Sequence, residues 1–315
     1  MTIPPPVRAR TATTGRRPRR PVWEEKPTLI GQLGKALSLA VILALILFPL
    51  YCVVITSFST QGSINIAGGI VIVPHGLTLD AYRAMLSGEV VTRALVIALL
   101  ITLVGTAVSM VVSVLCAYGL SRQGSLGHRT ILLTFIATMF FSGGLIPTFI
   151  VVANVFHGYD QYWALILPGA VSVFNILIIR AFYMNTARDL IDAARIDGAG
   201  DWRILVSVVL PTSKAVSAVM ALFYGVGYWN SWFNVMLYMP ADSQKWPIQY
   251  VLYQYVNQGA SMPGVAAHEV AGHSKPAPLS LQMAVVVLTL VPVVIVYPFV
   301  QKHFAKGALT GAIKG

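Results

Sequence analysis

Six apolar stretches, each long enough to cross a lipid bilayer, constrain this sequence more than any other feature. A helix needs about 20 residues to span a hydrocarbon core of about 30 Å. The stretches occupy residues 36–56, 94–120, 130–155, 161–179, 213–238 and 279–300. Because a bilayer offers no water to backbone polar groups, such stretches form helices. The sequence therefore predicts an all-α membrane protein with six transmembrane helices in a domain over residues 31–315.

The composition agrees with this class. Hydrophobic residues make up 56% of the 315 residues and charged residues only 10%, unlike an average soluble domain. The first 30 residues differ, because they are rich in Pro, Arg and Thr and lack periodicity. We expect residues 1–30 to form a disordered basic tail. This tail either sets the membrane topology or touches anionic lipid headgroups.

The distribution of Lys and Arg predicts which side of the membrane each loop faces, since these residues favour cytoplasmic loops. Of the 22 Lys and Arg residues, all but four fall on the side of the two termini. The exceptions are Arg83, Arg93, Lys245 and Lys275. Both termini and the loop 187–211 are therefore expected in the cytoplasm. The net charge of +11 follows from this asymmetry, and we expect no nucleic-acid partner.

Two long loops, 57–93 and 239–278, are expected outside the cell. A short amphipathic helix is predicted to begin near Thr78 in the first loop, and another near 248–256 in the second. The second loop is long enough to reach a soluble partner protein.

The loop 187–211 is the most highly charged helix-forming segment between two spans. Residues 190–197 predict a helix of about two turns, and Gly198 supplies the positive φ that ends a helix. Asp201 is predicted to cap a second helix, which ends at Pro211. Such a helix pair on the cytoplasmic side is a plausible docking element for another protein.

Small side chains mark one side of the first helix in this loop. Ala193 and Ala194 let another backbone approach closely, whereas Asp192 lies on a charged side and can pair with Arg188 or Arg195. We interpret the loop as a docking knob whose shape matters more than its charge.

No Asp, Glu, Lys or Arg lies well inside any apolar stretch. Ion-coupled carriers and pumps usually place such a residue in the membrane, so energy for transport must enter elsewhere, and the loop 187–211 suits a soluble motor. The sequence has no GxxxxGK[ST] phosphate-binding motif, and we expect no catalytic residue, cofactor or metal. The chain is thus not expected to be an enzyme. The alternative is a stand-alone channel or scaffold with a partner-docking loop.

Aromatic and amide side chains concentrate in the fifth stretch, where they suit sugar recognition by stacking and hydrogen bonding. These residues are Tyr224, Tyr228, Trp229, Asn230 and Trp232. Positions 224, 228 and 232 fall on one face of a continuous helix. An interfacial aromatic belt explains the same composition. Asn175 either lines the same path or bonds a neighbouring helix.

The loop resembles the EAA loop of ATP-binding-cassette (ABC) importer permeases, which couples the membrane domain to the ATPase. The matching residues are Asp192, Ala193, Ala194, Asp197, Gly198, Leu210 and Pro211. Asp192 stands where the family usually has Glu. The motifs AYGLSR at 117–122 and GYWNSWFN at 227–234 are also similar to this family, in its maltose-importer-like carbohydrate branch for complex polysaccharides and oligosaccharides.

This resemblance implies a type I importer permease with cytoplasmic coupling helices in a prokaryotic cell membrane. Its implied partners are a sister permease in a heterodimer, two ATP-binding-cassette ATPase subunits, which would hydrolyse the ATP, and an extracytoplasmic solute-binding protein. The loop 187–211 would then be the site of ATPase coupling.

Overall fold

A computed structural model describes residues 28–87, 89–122, 124, 127–141, 143–186, 188–258 and 277–312. Nearly all of the predicted tail, and residues 259–276 of the loop 239–278, lie outside the described residues. Within them, the regular structure is helical, and β pairing is limited to one isolated bridge between Ser59 and Leu77. The prediction of an all-α protein is confirmed.

Fifteen α-helices, some extended by a 3₁₀ or π turn, make up the described residues. They are α1 (Leu29–Ser57), α2 (Gln61–Ala67), α3 (Asp80–Ser87), α4 (Glu89–Ser121), α5 (His128–Phe140), α6 (Leu145–Ile150, then a π turn at Val151–Val155), α7 (Trp163–Ile166, then a 3₁₀ turn at Leu167–Gly169), α8 (Val173–Thr186), α9 (Arg188–Ile196), α10 (Asp201–Ile204, then a π turn at Leu205–Val209), α11 (Leu210–Thr212), α12 (Lys214–Trp229), α13 (Trp232–Tyr238), α14 (Ile248–Gln258) and α15 (Pro278–Ala312).

The helices α1 and α4 and the first part of α15 are each long and apolar enough to cross a membrane. Three further candidates are helix pairs bent at a short break. The bends are 114° between α5 and α6, 49° between α7 and α8, and 84° between the α10–α11 segment and α12. The described residues therefore hold three candidate spans, or up to six if each bent pair is one span.

Residue chemistry explains where the bent pairs break. Gly144, with a φ of 83°, precedes α6, and such a φ strains any residue with a Cβ. Pro168 lies in the 3₁₀ turn after α7, where it has no N–H to continue an α-helix. Ser213 stands between α11 and α12 with a non-helical ψ of 16°.

The two short helices predicted in the long loops are present. The Asp80 N–H donates to Thr78 Oγ1 at 3.1 Å at the start of α3, and α14 covers the segment predicted near 248–256. Hydroxyl capping at the first helix follows directly from the sequence.

The chain divides into two compact units, residues 1–50 and 51–315. In the first unit, the described residues form most of α1, and its Leu and Ile side chains are exposed. In the second unit, α4 is the helix to which α3, α8, α12 and α14 attach. Three apolar clusters follow one another along α4, from Val91 through Ile101 to Leu120.

Small residues on α4 allow the close approach of its neighbours. The buried small residues recur at near-helical spacing, and they are Ala94, Ala98, Gly105, Ser109, Ser113 and Ala117. A Cβ built on Gly105 would stand 2.8 Å from the ring of Tyr228 on α12. Real Cβ atoms do not approach other atoms so closely, so the contact between α4 and α12 requires glycine at this position.

Candidate functional site

The loop 187–211 holds two helices with a glycine between them. α9 ends at Ile196, and Gly198 has a positive φ of 77°, as the sequence predicts. The Gly198 N–H donates to the Arg195 carbonyl at 3.0 Å. A Cβ built on Gly198 meets nothing within 4 Å. The backbone conformation, and not crowding, therefore requires glycine here.

The second helix of the loop corrects the prediction at both ends. Asp201 does not cap this helix, because Gly200 holds the N-cap position and the Asp201 carboxylate accepts hydrogen bonds from Arg122. The helical segment also continues past Pro211 to Thr212. Pro211 lies at the start of the last α turn, where a missing N–H is tolerated. The prediction that Pro211 ends the helix was wrong by one residue.

The first helix of the loop turns one side to the protein and leaves the other exposed. Ile191 is buried, and Ala194 packs against the same apolar cluster. Asp192 and Ala193 are exposed, and Asp192 Oδ1 lies 3.4 Å from an Arg195 guanidinium nitrogen. The two alanines predicted to form one small docking surface therefore differ, because Ala193 is exposed and Ala194 is packed.

Two large apolar side chains on either side of Gly198 are exposed, and neither was predicted from the sequence. Ile196 is 88% exposed and Trp202 is 69% exposed. Asp197, beside Ile196, is also exposed. A signal was available, because a spacing of five residues puts Ile191 and Ile196 on different faces of one helix. Exposed apolar groups clustered at a turn are typical of a surface that contacts another protein.

Polar contacts attach the loop to the last turn of α4. Arg122 donates from both terminal nitrogens to the two carboxylate oxygens of Asp201. The Tyr118 hydroxyl donates to the Asp201 carbonyl at 3.2 Å, and the Arg122 guanidinium lies 5.8 Å from the centre of the Tyr118 ring. Nearby, Leu210 packs into the apolar cluster while Pro211 is exposed. The loop is thus held to α4 by directed as well as apolar contacts.

The end of α8 joins the same assembly. Arg180 Nε donates to the Leu120 carbonyl of α4 at 2.7 Å. A cavity of about 230 Å³ lies between these helix ends and α9, and Tyr118, Tyr183 and Ile191 contribute to its lining. The loop therefore rests on both α4 and α8.

A second group of predicted residues, Tyr224 and Tyr228, is buried in the middle of the protein. The Tyr224 hydroxyl lies 2.6 Å from Ser113 Oγ, and the Tyr228 hydroxyl lies 2.8 Å from Ser109 Oγ. The two tyrosines are one turn apart on α12, and the two serines are one turn apart on α4. These paired hydrogen bonds join α12 to α4.

The same hydroxyls also satisfy backbone groups at the break between α7 and α8. Tyr228 donates to the Ile166 carbonyl at 2.8 Å, and the Ser172 N–H donates to the Tyr224 hydroxyl at 3.2 Å. Backbone groups freed by a helix break need partners when they are buried. The tyrosines supply those partners, so in this structure their hydroxyls are engaged with protein.

The remaining predicted residues are divided between buried and exposed positions. Asn175 and Trp229 are buried, at 5% and 7% exposure. Asn230 is exposed and donates from its side-chain amide to the Val226 carbonyl. α12 ends at Trp229, so Trp232 belongs to α13. The expectation that Trp232 continues the helical face of the two tyrosines was therefore wrong.

Trp232 instead forms part of an aromatic stack between α13 and α14. Its ring lies 4.4 Å from that of Tyr253 in a stacked arrangement and 5.7 Å from that of Phe233 edge-on. Tyr250 stacks behind Tyr253 at 6.0 Å. Trp232 and Phe233 are 36% and 39% exposed. The spacing of Tyr250 and Tyr253, three residues apart, was the signal that could have revealed this surface.

An ion-pair cluster fixes the segment between α6 and α7 to the segment after α13. Lys245 Nζ donates to the Asp160 carboxylate at 3.0 Å and lies 3.6 Å from that of Asp242. The Asp160 N–H donates to the Tyr238 carbonyl at 2.7 Å. The hydrogen bond to Asp160 raises the pKa of the Lys245 ammonium.

Among the described side chains, no group of three His, Cys, Asp or Glu residues is arranged to hold a metal ion. The absence of a metal or cofactor from the functional protein stays a prediction.

Comparison with known proteins places these features in a family. Residues 95–309 match the family described as "Binding-protein-dependent transport system inner membrane component". The polygalacturonan/rhamnogalacturonan transport system permease protein YtcP of Bacillus subtilis (strain 168) is 42% identical over 277 residues, which cover 86% of this chain and 96% of that protein. Protein LplC of the same organism is 38% identical over 272 residues, covering 86% and 90%.

The fold of this chain is also similar to that of a solved transporter structure. A chain from a bacterial ABC transporter involved in the import of the acidic polysaccharide alginate superposes with a TM-score of 0.81 and 25% sequence identity. The superposition covers 89% of this chain and all of that chain. The matched sequence, the apolar helices and the solved neighbour together show that this membrane-embedded chain belongs to the binding-protein-dependent transport system inner membrane component family, the permeases of ABC importers.

Proposed function

We propose that this chain is one of two permease subunits in an ATP-driven importer of carbohydrates, either oligosaccharides or polysaccharides. It would form a translocation path with a sister permease, bind two ATPase subunits and receive substrate from an extracytoplasmic solute-binding protein. ATP hydrolysis would occur in the ATPase subunits. The observation that carries this proposal is the exposure of Ile196 and Trp202 on either side of Gly198, in a loop that rests on α4 and α8.

The loop 187–211 is the coupling element of this proposal. Its exposed side carries Asp192, Ala193 and Ile196, while Ile191 and Ala194 face the protein. An ATPase subunit that grips the exposed side would move the loop, and with it the ends of α4 and α8. Movement of these helix ends would then switch the translocation path between inward-open and outward-open states.

The orientation of the chain follows from its charges. The proposal places both termini and the loop 187–211 in the cytoplasm. It counts the pairs α5–α6 and α7–α8 as one span each and the stretch 213–238, with α12 and α13, as another, which with α1, α4 and α15 gives six. It makes the bend between α11 and α12 the point where the coupling loop enters the membrane. The excess of Lys and Arg on that side supports this orientation.

The substrate class rests on the relatives and on the exposed aromatic surface. One relative is named for polygalacturonan or rhamnogalacturonan, and the solved neighbour for the acidic polysaccharide alginate. In this chain, Trp232 and Asn230 are exposed and Tyr253 stacks on Trp232. Aromatic faces beside amide groups bind sugar rings. We assign Trp232 and Asn230 to the outer part of the substrate path. The buried residues Tyr224, Tyr228, Trp229 and Asn175 would support the wall of this path.

A matched pair of substitutions tests the coupling surface. Ile196→Asp places a charge in the proposed contact with the ATPase. Ile66→Asp changes another exposed isoleucine, 71% exposed on α2, which the proposal places outside the cell. We expect Ile196→Asp to reduce co-purification of the ATPase with the solubilised permeases at least about tenfold, and Ile66→Asp to leave it unchanged.

Two results would refute the coupling proposal. One is a wild-type complex that never associates with an ATPase subunit, which would favour a channel or scaffold. The other is an equal effect of the two substitutions, which would show that the loop is not the docking surface.

A further inference from the structure

We infer that Arg122 and Asp201 form the joint through which a movement of the loop 187–211 is passed to α4. This inference rests on the proposed function, because it assigns a part to one contact within the coupling element. Arg122 is the first residue after α4, and Asp201 is the first residue of α10. Their contact therefore connects the end of the central helix directly to the loop.

The geometry of this contact makes it directional. Both terminal nitrogens of Arg122 meet both carboxylate oxygens of Asp201, and such forked pairs fix orientation as well as distance. Tyr118, one turn earlier on α4, donates its hydroxyl to the Asp201 carbonyl. Asp201 is thus held through its side chain and its backbone. A displacement of α10 in the plane of the fork therefore acts on the end of α4 through the two Arg122 hydrogen bonds and the Tyr118 hydrogen bond.

The apolar contacts of the loop do not supply this property. Ile191, Ile204 and Leu205 pack against residues of α4 and α8, but apolar contacts are non-directional. Packed helices can slide past one another by small steps while they keep such contacts. The ion pair opposes this sliding at one point, because sliding breaks its forked geometry.

The pair contributes little to folding, which separates its role from a purely structural one. The side chains of Arg122 and Asp201 are 34% and 51% exposed, and exposed ion pairs stabilise proteins only slightly. Asp192 and Arg195, which line the same cavity as Arg122, pair with each other at 3.4 Å. Loss of the joint should therefore leave the complex assembled and change only how movement is transmitted.

The experiment uses the whole complex, with sister permease, ATPase subunits and binding protein, reconstituted in proteoliposomes. The variants are Arg122→Gln, Asp201→Asn and the charge exchange Arg122→Asp/Asp201→Arg. Arg129→Gln is the control, because Arg129 is an exposed arginine at the start of α5. The readouts are co-purification of the ATPase and the amount of oligosaccharide imported per ATP hydrolysed.

We expect each single substitution to keep ATPase co-purification within about twofold and to lower the import per ATP at least about fivefold. The charge exchange should restore at least half of the wild-type ratio, and Arg129→Gln should leave it unchanged. Restoration by exchange requires that the two residues act on each other.

Three results would overturn the joint. They are an import per ATP within twofold of wild type in both single variants, a charge exchange that assembles but restores nothing, and a loss of ATPase binding in the single variants. The last result would make the pair part of the docking surface. Failure of the wild-type complex to bind an ATPase would instead refute the proposed function, so the two failures are distinguishable.

Discussion

Gly198 sets the shape of the coupling loop at the scale of a single residue. Its φ is 77°, and a Cβ at this position would be free of contacts. Within this chain, a substitution therefore acts only through the backbone. We predict that Gly198→Asn is tolerated, because Asn adopts the left-handed region, that Gly198→Ala costs the loop about 1 kcal/mol, and that Gly198→Pro is incompatible with this φ.

ATP hydrolysis stimulated by loaded binding protein checks this order. Activity should fall slightly for Asn, further for Ala and to the basal rate for Pro. A Pro variant with wild-type stimulation would show that the loop does not need its observed shape.

The Tyr228 hydroxyl serves two partners, Ser109 on α4 and the Ile166 carbonyl at the break after α7. Tyr228→Phe removes both hydrogen bonds, one with the buried Ser109 hydroxyl and one to the part-buried Ile166 carbonyl. The expected loss of unfolding free energy is about 1–3 kcal/mol. Thermal denaturation in detergent measures it. Tyr297→Phe, on an exposed ring of α15, is the control, and equal shifts for the two variants would contradict the assigned role.

These tyrosines also show what the sequence does not reveal about single residues. Their aromatic type and spacing predict a common helical face, and Tyr224 and Tyr228 do lie one turn apart on α12. Their partners Ser113 and Ser109 are more than 100 residues away in the chain. The local sequence pattern does not reveal hydrogen bonds between residues so far apart in the chain. It therefore does not distinguish a tyrosine that lines a substrate path from one that hydrogen-bonds to a helix break.

At the scale of elements, the contact between α4 and α12 depends on the absence of a side chain at Gly105. A Cβ there would lie 2.8 Å from the Tyr228 ring. Overpacking of this kind typically costs about 1–3 kcal/mol. We predict that Gly105→Ala lowers the thermal stability of the solubilised protein.

Gly119, on the same helix, provides the matched control. Its Cβ would meet nothing within 4 Å, and Ala is a better helix former than Gly. Gly119→Ala should therefore leave the denaturation temperature unchanged or slightly raised. Equal losses for the two variants would show that general damage to α4, and not contact with Tyr228, is measured.

The elements themselves were only partly predictable. α1 and α4 and the short helices α3 and α14 follow from apolar length and capping residues. The breaks near Gly144 and Pro168 do not, since the apolar stretches 130–155 and 161–179 continue across them. The break at Ser213 coincides with the predicted boundary between the helix that ends near Pro211 and the stretch 213–238. Hydropathy reports whether a segment suits the bilayer, whereas a bend depends on which backbone groups find partners elsewhere.

The sequence pattern also predicted a wrong role for Asp201 in the middle of the coupling loop. Asp201 has the residue type and position of a helix cap, but Arg122 competes for its carboxylate. Capping patterns use only neighbouring residues, so they do not predict a contact between residues 79 positions apart. The exposure of Ile196 was predictable from helical spacing, because Ile196 lies on a different face from the buried Ile191.

At the scale of the whole molecule, the proposed topology makes a prediction that is independent of substrate. An alkaline phosphatase reporter folds only outside the cytoplasm, where its disulfides form. Fused within the loop 239–278 it should be active, and fused after Gly315 it should be inactive. A fluorescent protein that folds in the cytoplasm should give the opposite pattern. Activity of the phosphatase at the C-terminus would contradict the six-span orientation.

Uptake by the complete complex tests the central claim most directly. Proteoliposomes with this chain, its sister permease and the ATPase subunits are supplied with binding protein and a panel of labelled neutral and acidic oligosaccharides. The account predicts that at least one oligosaccharide accumulates above its external concentration, and only when both ATP and binding protein are present. Equilibration without ATP, or no uptake of any oligosaccharide while ATP is hydrolysed, would contradict it.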